Sequence, residues 1–221
     1  MTRHETLSGM STSHSRMLLA AVAVIGMCGL AACSSGSGAA SAPTSSASPT
    51  WDAASVPPPE GRVIGTGTVL DVDGEPRLCL GIVAESYPPQ CSGLPLDGWT
   101  WDGVDGSESS GDTTWGTYAV YGTFDGERYA VTDPPIMLAL YDPVRPEDPT
   151  GGVPGASSEA ELAQVSDELS NTVGRDALTL WTERGYVWMQ VVWDDGSVQN
   201  AMDAAYGDGV VVVTSALREI D

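Results

Sequence analysis

Apolar positions recur along this chain with different periods, and each period marks a different kind of segment. From Val63 to Val72 and from Thr114 to Phe124, apolar and polar residues alternate, as a half-buried strand requires. Between Ser158 and Val173 the period changes. Leu162, Val165, Leu169 and Val173 fall on one helical stripe, Ser158 and Glu161 have capping-box spacing, and Gly174 is placed to stop the helix. Met17 to Ala32 has no such pattern: it is sixteen residues without a charge.

Residues 61–142 read as all-β. The first alternating run ends at Asp73-Gly74, a hairpin-turn dipeptide. Leu78 to Ala84 is a second apolar run. Ser86 to Cys91 is irregular, because consecutive prolines remove ladder donors. A short strand is expected around Trp99 and Trp101, then a Gly/Ser/Asp loop from Asp102 to Thr113. The second alternating run turns at Asp125-Gly126 into Arg128 to Thr132, and Ile136 to Leu140 closes the series. Five strands in so short a span predict a small closed barrel, OB-like in size and order, with a fragment of a β-sandwich as the alternative.

Residues 143–156, with four prolines and three glycines, read as a linker or draped crossover. Residues 157–221 then predict an α-β-β-α-β module. Its strands are Leu178 to Glu183, Tyr186 to Trp193 and Val210 to Thr214, and Ser197 caps the second helix, which ends at Gly207. A right-handed β-α-β step makes this a three-stranded sheet with both helices on one face, so the fold class is α+β. The middle strand is apolar on both faces. The face without helices, carrying Tyr186, Trp188 and Val192, is expected to pack on the barrel.

The uncharged run Met17–Ala32 follows Arg16. It is short for a membrane span, which needs about 20 residues, but right for the apolar core of a secretory signal. It ends in Leu30-Ala31-Ala32-Cys33, followed by Ser34 and Ser35. This resembles the bacterial lipoprotein signal, whose lipobox is leucine, two small residues, then cysteine, and it matches at all four positions. The resemblance implies removal of residues 1–32, a thioether-linked diacylglycerol on Cys33, and a protein held at the cell membrane facing outside the cytoplasm. Residues 33–60, mostly Ser, Ala, Pro, Gly and Thr with Trp51, then form a flexible tether with an end-to-end distance of roughly 30 Å. The segments Leu78-Cys79-Leu80-Gly81, Pro88-Pro89-Gln90-Cys91, Gly98-Trp99-Thr100-Trp101 and Tyr206-Gly207-Asp208-Gly209-Val210 also resemble stretches of uncharacterised secreted or lipid-anchored bacterial proteins. That second resemblance implies no activity.

Composition after Cys33 excludes much. His4, His14 and Cys28 fall in the leader, and the chain has no lysine. Seven arginines face twenty-nine acidic residues, a net charge of −22. Such a surface repels nucleic acid and anionic lipid heads, so neither is expected as a partner. Without imidazole or lysine there is no Ser-His-Asp, Cys-His or Ser-Lys mechanism and no P-loop. Gly65-Thr66-Gly67 lacks the third glycine of a dinucleotide fingerprint. Zinc and haem lose their usual ligands, and no metal or cofactor is expected. With Cys33 assigned to lipid, Cys79 and Cys91 read as a disulfide in an oxidising compartment, with two free thiols as the alternative.

Carboxylates remain. Asp97, Asp102, Asp105 and Glu108 cluster around Trp99 and Trp101, which makes Asp97, Trp99, Trp101 and Asp102 the candidate ligand-binding residues. A glycosidase needs two carboxylates about 5 Å or roughly 6.5–9.5 Å apart, beside aromatic platforms. The structural alternative is that the tryptophans are core and the acids solvate a loop. Asp71-Val72-Asp73-Gly74 and Asp102-Gly103-Val104-Asp105-Gly106 pair acids as calcium loops do, but neither fits the twelve-residue pattern, and Asp-Gly is an ordinary turn dipeptide. The expected function is therefore binding or structural support in the cell envelope, with an envelope protein or glycan as partner. The rival is a carboxylate enzyme acting on cell-wall carbohydrate through residues 97–108.

Overall fold

Strand β1 (Arg62–Val72) is the seam of the fold, because its eleven residues are long enough to pair on both sides. A computed structural model of the protein describes residues 55–174 and 176–220. The predicted leader, Cys33 and residues 33–54 of the predicted tether lie outside the described residues. Strand β1 turns at Asp73-Gly74 into β2 (Glu75–Cys79), which pairs antiparallel with β3 (Leu94–Asp97). Strand β4 (Glu108–Ser110) leads into β5 (Thr113–Phe124), followed by β6 (Tyr129–Val131) and β7 (Ile136–Met137). Strand β5 runs antiparallel to β1 from Thr113 to Gly122 and to β6 at its end, while β3 and β6 are parallel. The path β1-β2-β3-β6-β5 thus returns to β1. Closure leaves the five barrel strands without free edges.

The barrel is filled by inward positions of this alternation: Val63, Val69, Leu78, Leu96, Tyr118, Val120 and Tyr129. Tyr129 carries a hydroxyl into this apolar space and satisfies it across the barrel. Its oxygen lies 3.0 Å from the Val63 carbonyl and 2.7 Å from the Val120 carbonyl. Burial pushes the Tyr129 pKa up, so the phenol stays neutral as a donor. Cys79 and Cys91 form a disulfide, with Cα atoms 6.1 Å apart, that ties the loop after β2 to the barrel.

The second module follows the helical and alternating patterns. Helix α1 (Glu159–Thr172) starts at Ser158, whose side chain accepts from the Glu161 amide while Glu161 reaches back, and its stripe buries Leu162 and Leu169. Strands β8 (Ala177–Glu183), β9 (Tyr186–Val191) and β10 (Val211–Ser215) form a sheet with β9 central, antiparallel to β8 and parallel to β10. Helix α2 (Ser197–Tyr206) joins α1 over one face, burying Val187, Met189 and Val191 against Leu162, Leu169, Val198 and Met202. The cap of α2 differs from expectation. Gly196, at φ 99°, turns the chain so that the Asp194 carboxylate meets the first turn, accepting from the Gly196, Val198 and Gln199 amides. Ser197 does not cap the helix. Gln199 also covers the outer edge of β10, bonding the Val211 carbonyl and the Val213 amide.

The other face of this sheet is shared between two covers, where sequence alone predicts the barrel. Tyr186, Trp188 and Val212 form a small buried cluster under residues 148–155. There the Tyr186 hydroxyl donates to Val153, the Gly155 amide donates to Arg184, and Arg184 pairs with Asp148 at 2.9 Å. Gly155 lies against the Gly185 backbone, a contact that a side chain at either position would block. Toward the barrel, Leu178 lies on Gly81, and Val192 and Trp193 pack against the barrel core.

Two predicted boundaries shift for the same reason, apolar residues finding the core. Leu217 enters the barrel, and β11 (Arg218–Ile220) pairs with the start of β1, so the last residues of the predicted second domain belong to the barrel sheet. At the other end, Val56 packs on the sheet module, Pro57 accepts from the Trp193 indole at 3.0 Å, and Pro59 is buried. The chain is therefore held from Val56 rather than from residue 61. Barrel and sheet fall in one compact unit.

Candidate functional site

Gly98 ends β3 with φ 77°, a backbone that cannot continue the ladder. Trp99 and Trp101 consequently lie on the loop that follows, not on a short strand as their alternation implies. The loop lays both indoles over the end of the barrel. Trp99 meets Trp101 edge-on at 5.1 Å and the Tyr118 ring at 5.4 Å. Trp101 is the supporting ring: its indole N–H donates to Asp71 on β1 at 2.9 Å. The Trp99 indole N–H and the second Asp71 oxygen are buried without a partner among the described residues.

Opposite this loop runs Val131 to Leu140, which carries β7 and a 3-10 turn (Leu138–Leu140). The two segments enclose an open cleft of about 600 Å³. Its inner wall is apolar and aromatic, from Trp99, Val104, Tyr118, Ile136 and Met137, and Asp102, Asp105 and Asp133 also line it. Met137 reaches its place because Gly106 has no side chain; a Cβ there would collide with the Met137 sulfur. Tyr118 donates to the Asp105 carbonyl at 3.0 Å, and burial first, then the Asp105 charge, pushes the Tyr118 pKa up.

The carboxylates differ in what holds them. Asp133 pairs with Arg62 and accepts from the Thr132 hydroxyl at 2.7 Å. Asp97 is outside the cleft, gripped by both Nε and Nη2 of Arg128, and that hydrogen bonding holds its pKa below the usual carboxylate value. A second cavity of about 390 Å³ lies beside that pair, lined by Arg77, Pro95 and Arg128. Glu108 sits on β4 opposite Trp115, also away from the cleft. Asp102 and Asp105 line the cleft, are exposed, and make no hydrogen bond or ion pair through their carboxylates among the described residues.

Of the sequence candidates, Trp99 and Asp102 face the cleft, Trp101 supports Trp99, and Asp97 belongs to an ion pair on the barrel wall. Asp133, Ile136 and Met137 are the residues that sequence reasoning missed. Their only signal was Asp133-Pro134-Pro135, which reads as a break between strands. Among the described residues, no three His, Cys, Asp or Glu side chains converge to hold a metal ion.

No protein-family model matches this chain, and no curated protein or solved structure is significantly similar to it.

Proposed function

We propose that the chain is a lipid-anchored cell-envelope protein, facing outside the cytoplasm, that binds a ligand in the cleft between Trp99 and Met137. The observation that carries the binding reading is the cleft itself. A concave site of about 600 Å³ with an apolar wall and a few polar groups is the usual form of a ligand pocket. The anchoring half of the reading rests on Leu30-Ala31-Ala32-Cys33 and its resemblance to a lipobox. Two acyl chains suffice for stable anchoring, at about 0.8 kcal/mol per buried CH₂.

We read the barrel as OB-like. The strand path β1-β2-β3-β6-β5 and its one parallel junction, β3 with β6, support that reading. Such barrels commonly serve as binding scaffolds, which agrees with an envelope protein or glycan as the partner. The rival carbohydrate enzyme loses two of its four acids, because Asp97 is committed to Arg128 and Glu108 lies on β4.

A screen of small neutral fragments by saturation-transfer NMR, with the intact chain in lipid nanodiscs, tests the cleft. Binders are expected to compete for one site and to disappear in Thr132→Trp, whose indole fills the cleft from an exposed rim position. Fragments that bind the variant as well as the parent would place the ligand elsewhere.

A further inference from the structure

We infer that the cleft between Trp99 and Met137 selects an organic cation with an apolar body: an ammonium or guanidinium group joined to a ring or short chain. This deepens the binding reading above and rests on it. The argument begins with the cavity, not with its charge. An apolar and aromatic wall of this size holds a ring or side-chain-sized body. It favours partners that remove hydrocarbon from water, and with Asp102 and Asp105 at its opening it does so beside negative charge.

Charge then sets the sign of the ligand. Among the described residues no arginine lines the cleft, and Arg62, on the neighbouring β1 strand, is engaged with Asp133. Asp97, Asp125 and Asp148 show what a held carboxylate looks like here: Asp97 is bound by Arg128, Asp125 by the Glu127 and Arg128 amides, and Asp148 by Arg184 and Thr150. Asp102 and Asp105 are left without such partners, on an apolar wall. Low-dielectric walls focus a field of one sign into a cleft. Trp99, beside them, offers a ring face of the kind that attracts a cation. Among the described residues no three acids converge on a metal position, so the charge is spread around an opening rather than gathered for a bare ion.

Three probes that share a phenethyl body separate the sign of the charge from the cleft itself: phenethylammonium, 2-phenylethanol and 3-phenylpropionate. Calorimetric titration would use the intact chain in zwitterionic nanodiscs, with empty nanodiscs as blanks. Phenethylammonium is expected to bind about fivefold more tightly than the alcohol at low salt, the upper end of what an exposed ion pair contributes. The propionate is expected to bind more weakly than the alcohol. In the double variant Asp102→Asn, Asp105→Asn, the preference should fall to about twofold or less while the alcohol binds as before. Higher salt should shrink it in the parent. Equal binding of ammonium and alcohol in the parent would overturn the cation assignment and leave the cleft reading standing. A preference that survives in the double variant would overturn the assignment to Asp102 and Asp105. Failure of all three probes, together with fragments that ignore Thr132→Trp, would overturn the cleft reading and this inference with it.

Discussion

Gly122→Ala is expected to destabilise the protein by about 3 kcal/mol or more, the upper range for forcing extra atoms into a packed interior. Gly122 is buried on β5 opposite Val131 of β6. A Cβ there would collide with the Ala130 carbonyl and with the Tyr129 ring, which cannot move freely. Its hydroxyl lies between the Val63 and Val120 carbonyls, so displacing the ring also breaks the hydrogen bonding of a buried phenol. One added methyl therefore strains the β5–β6 pairing and opens a polar defect in the core. Gly61→Ala is the control, because nothing lies within 4 Å of the Cβ it would gain. Urea unfolding should separate the two variants clearly. If Gly122→Ala unfolds with Gly61→Ala and the parent, the packing described around Tyr129 is wrong.

Loss of the Cys79–Cys91 disulfide is the second large effect expected, at about 3 kcal/mol for a loop of this length on the chain-entropy account. The two cysteines are twelve residues apart, and the loop between them exposes Ile82 and Tyr87. Cys79 is buried at the end of β2, so a thiol can occupy its site with little disturbance of the folded barrel. The cost therefore falls on the unfolded chain, which gains the freedom of an open loop. The Cys79→Ser, Cys91→Ser double variant, or the reduced parent, should unfold at markedly lower urea with an intact barrel signature by circular dichroism. An unchanged midpoint would mean that the bond contributes nothing to holding the loop against β2.

The parts legible from sequence are those set by local pattern. Alternation placed β1 and β5, the Asp73-Gly74 dipeptide placed the first turn, and Ser158 with Glu161 placed the start of α1, because each depends on residues close in the chain. The barrel and the three-stranded sheet followed from the order of these pieces. Trp99 and Trp101 misled for the same reason. Trp-Thr-Trp alternates as a strand does, but Gly98 had already broken the ladder. The cleft was half legible. Its Trp99 and Asp102 wall stands out as a local cluster, whereas Val131 to Leu140 joins it only through the closure of β5 on β6. Asp97 shows the limit most plainly: its partner Arg128 is thirty-one residues away, and only the parallel β3–β6 junction brings them together.

The proposal that this protein works from a lipid anchor outside the cytoplasm is tested most directly by the mass of its mature N-terminus. Protein isolated from the membranes of a bacterium that processes lipoproteins should begin at residue 33. Its first peptide should carry a diacylglycerol on the Cys33 sulfur, and Cys33→Ser should remove both the added mass and the membrane association. An N-terminal peptide that still contains residues 17–32, or one cut elsewhere with Cys33 unmodified, would contradict the account.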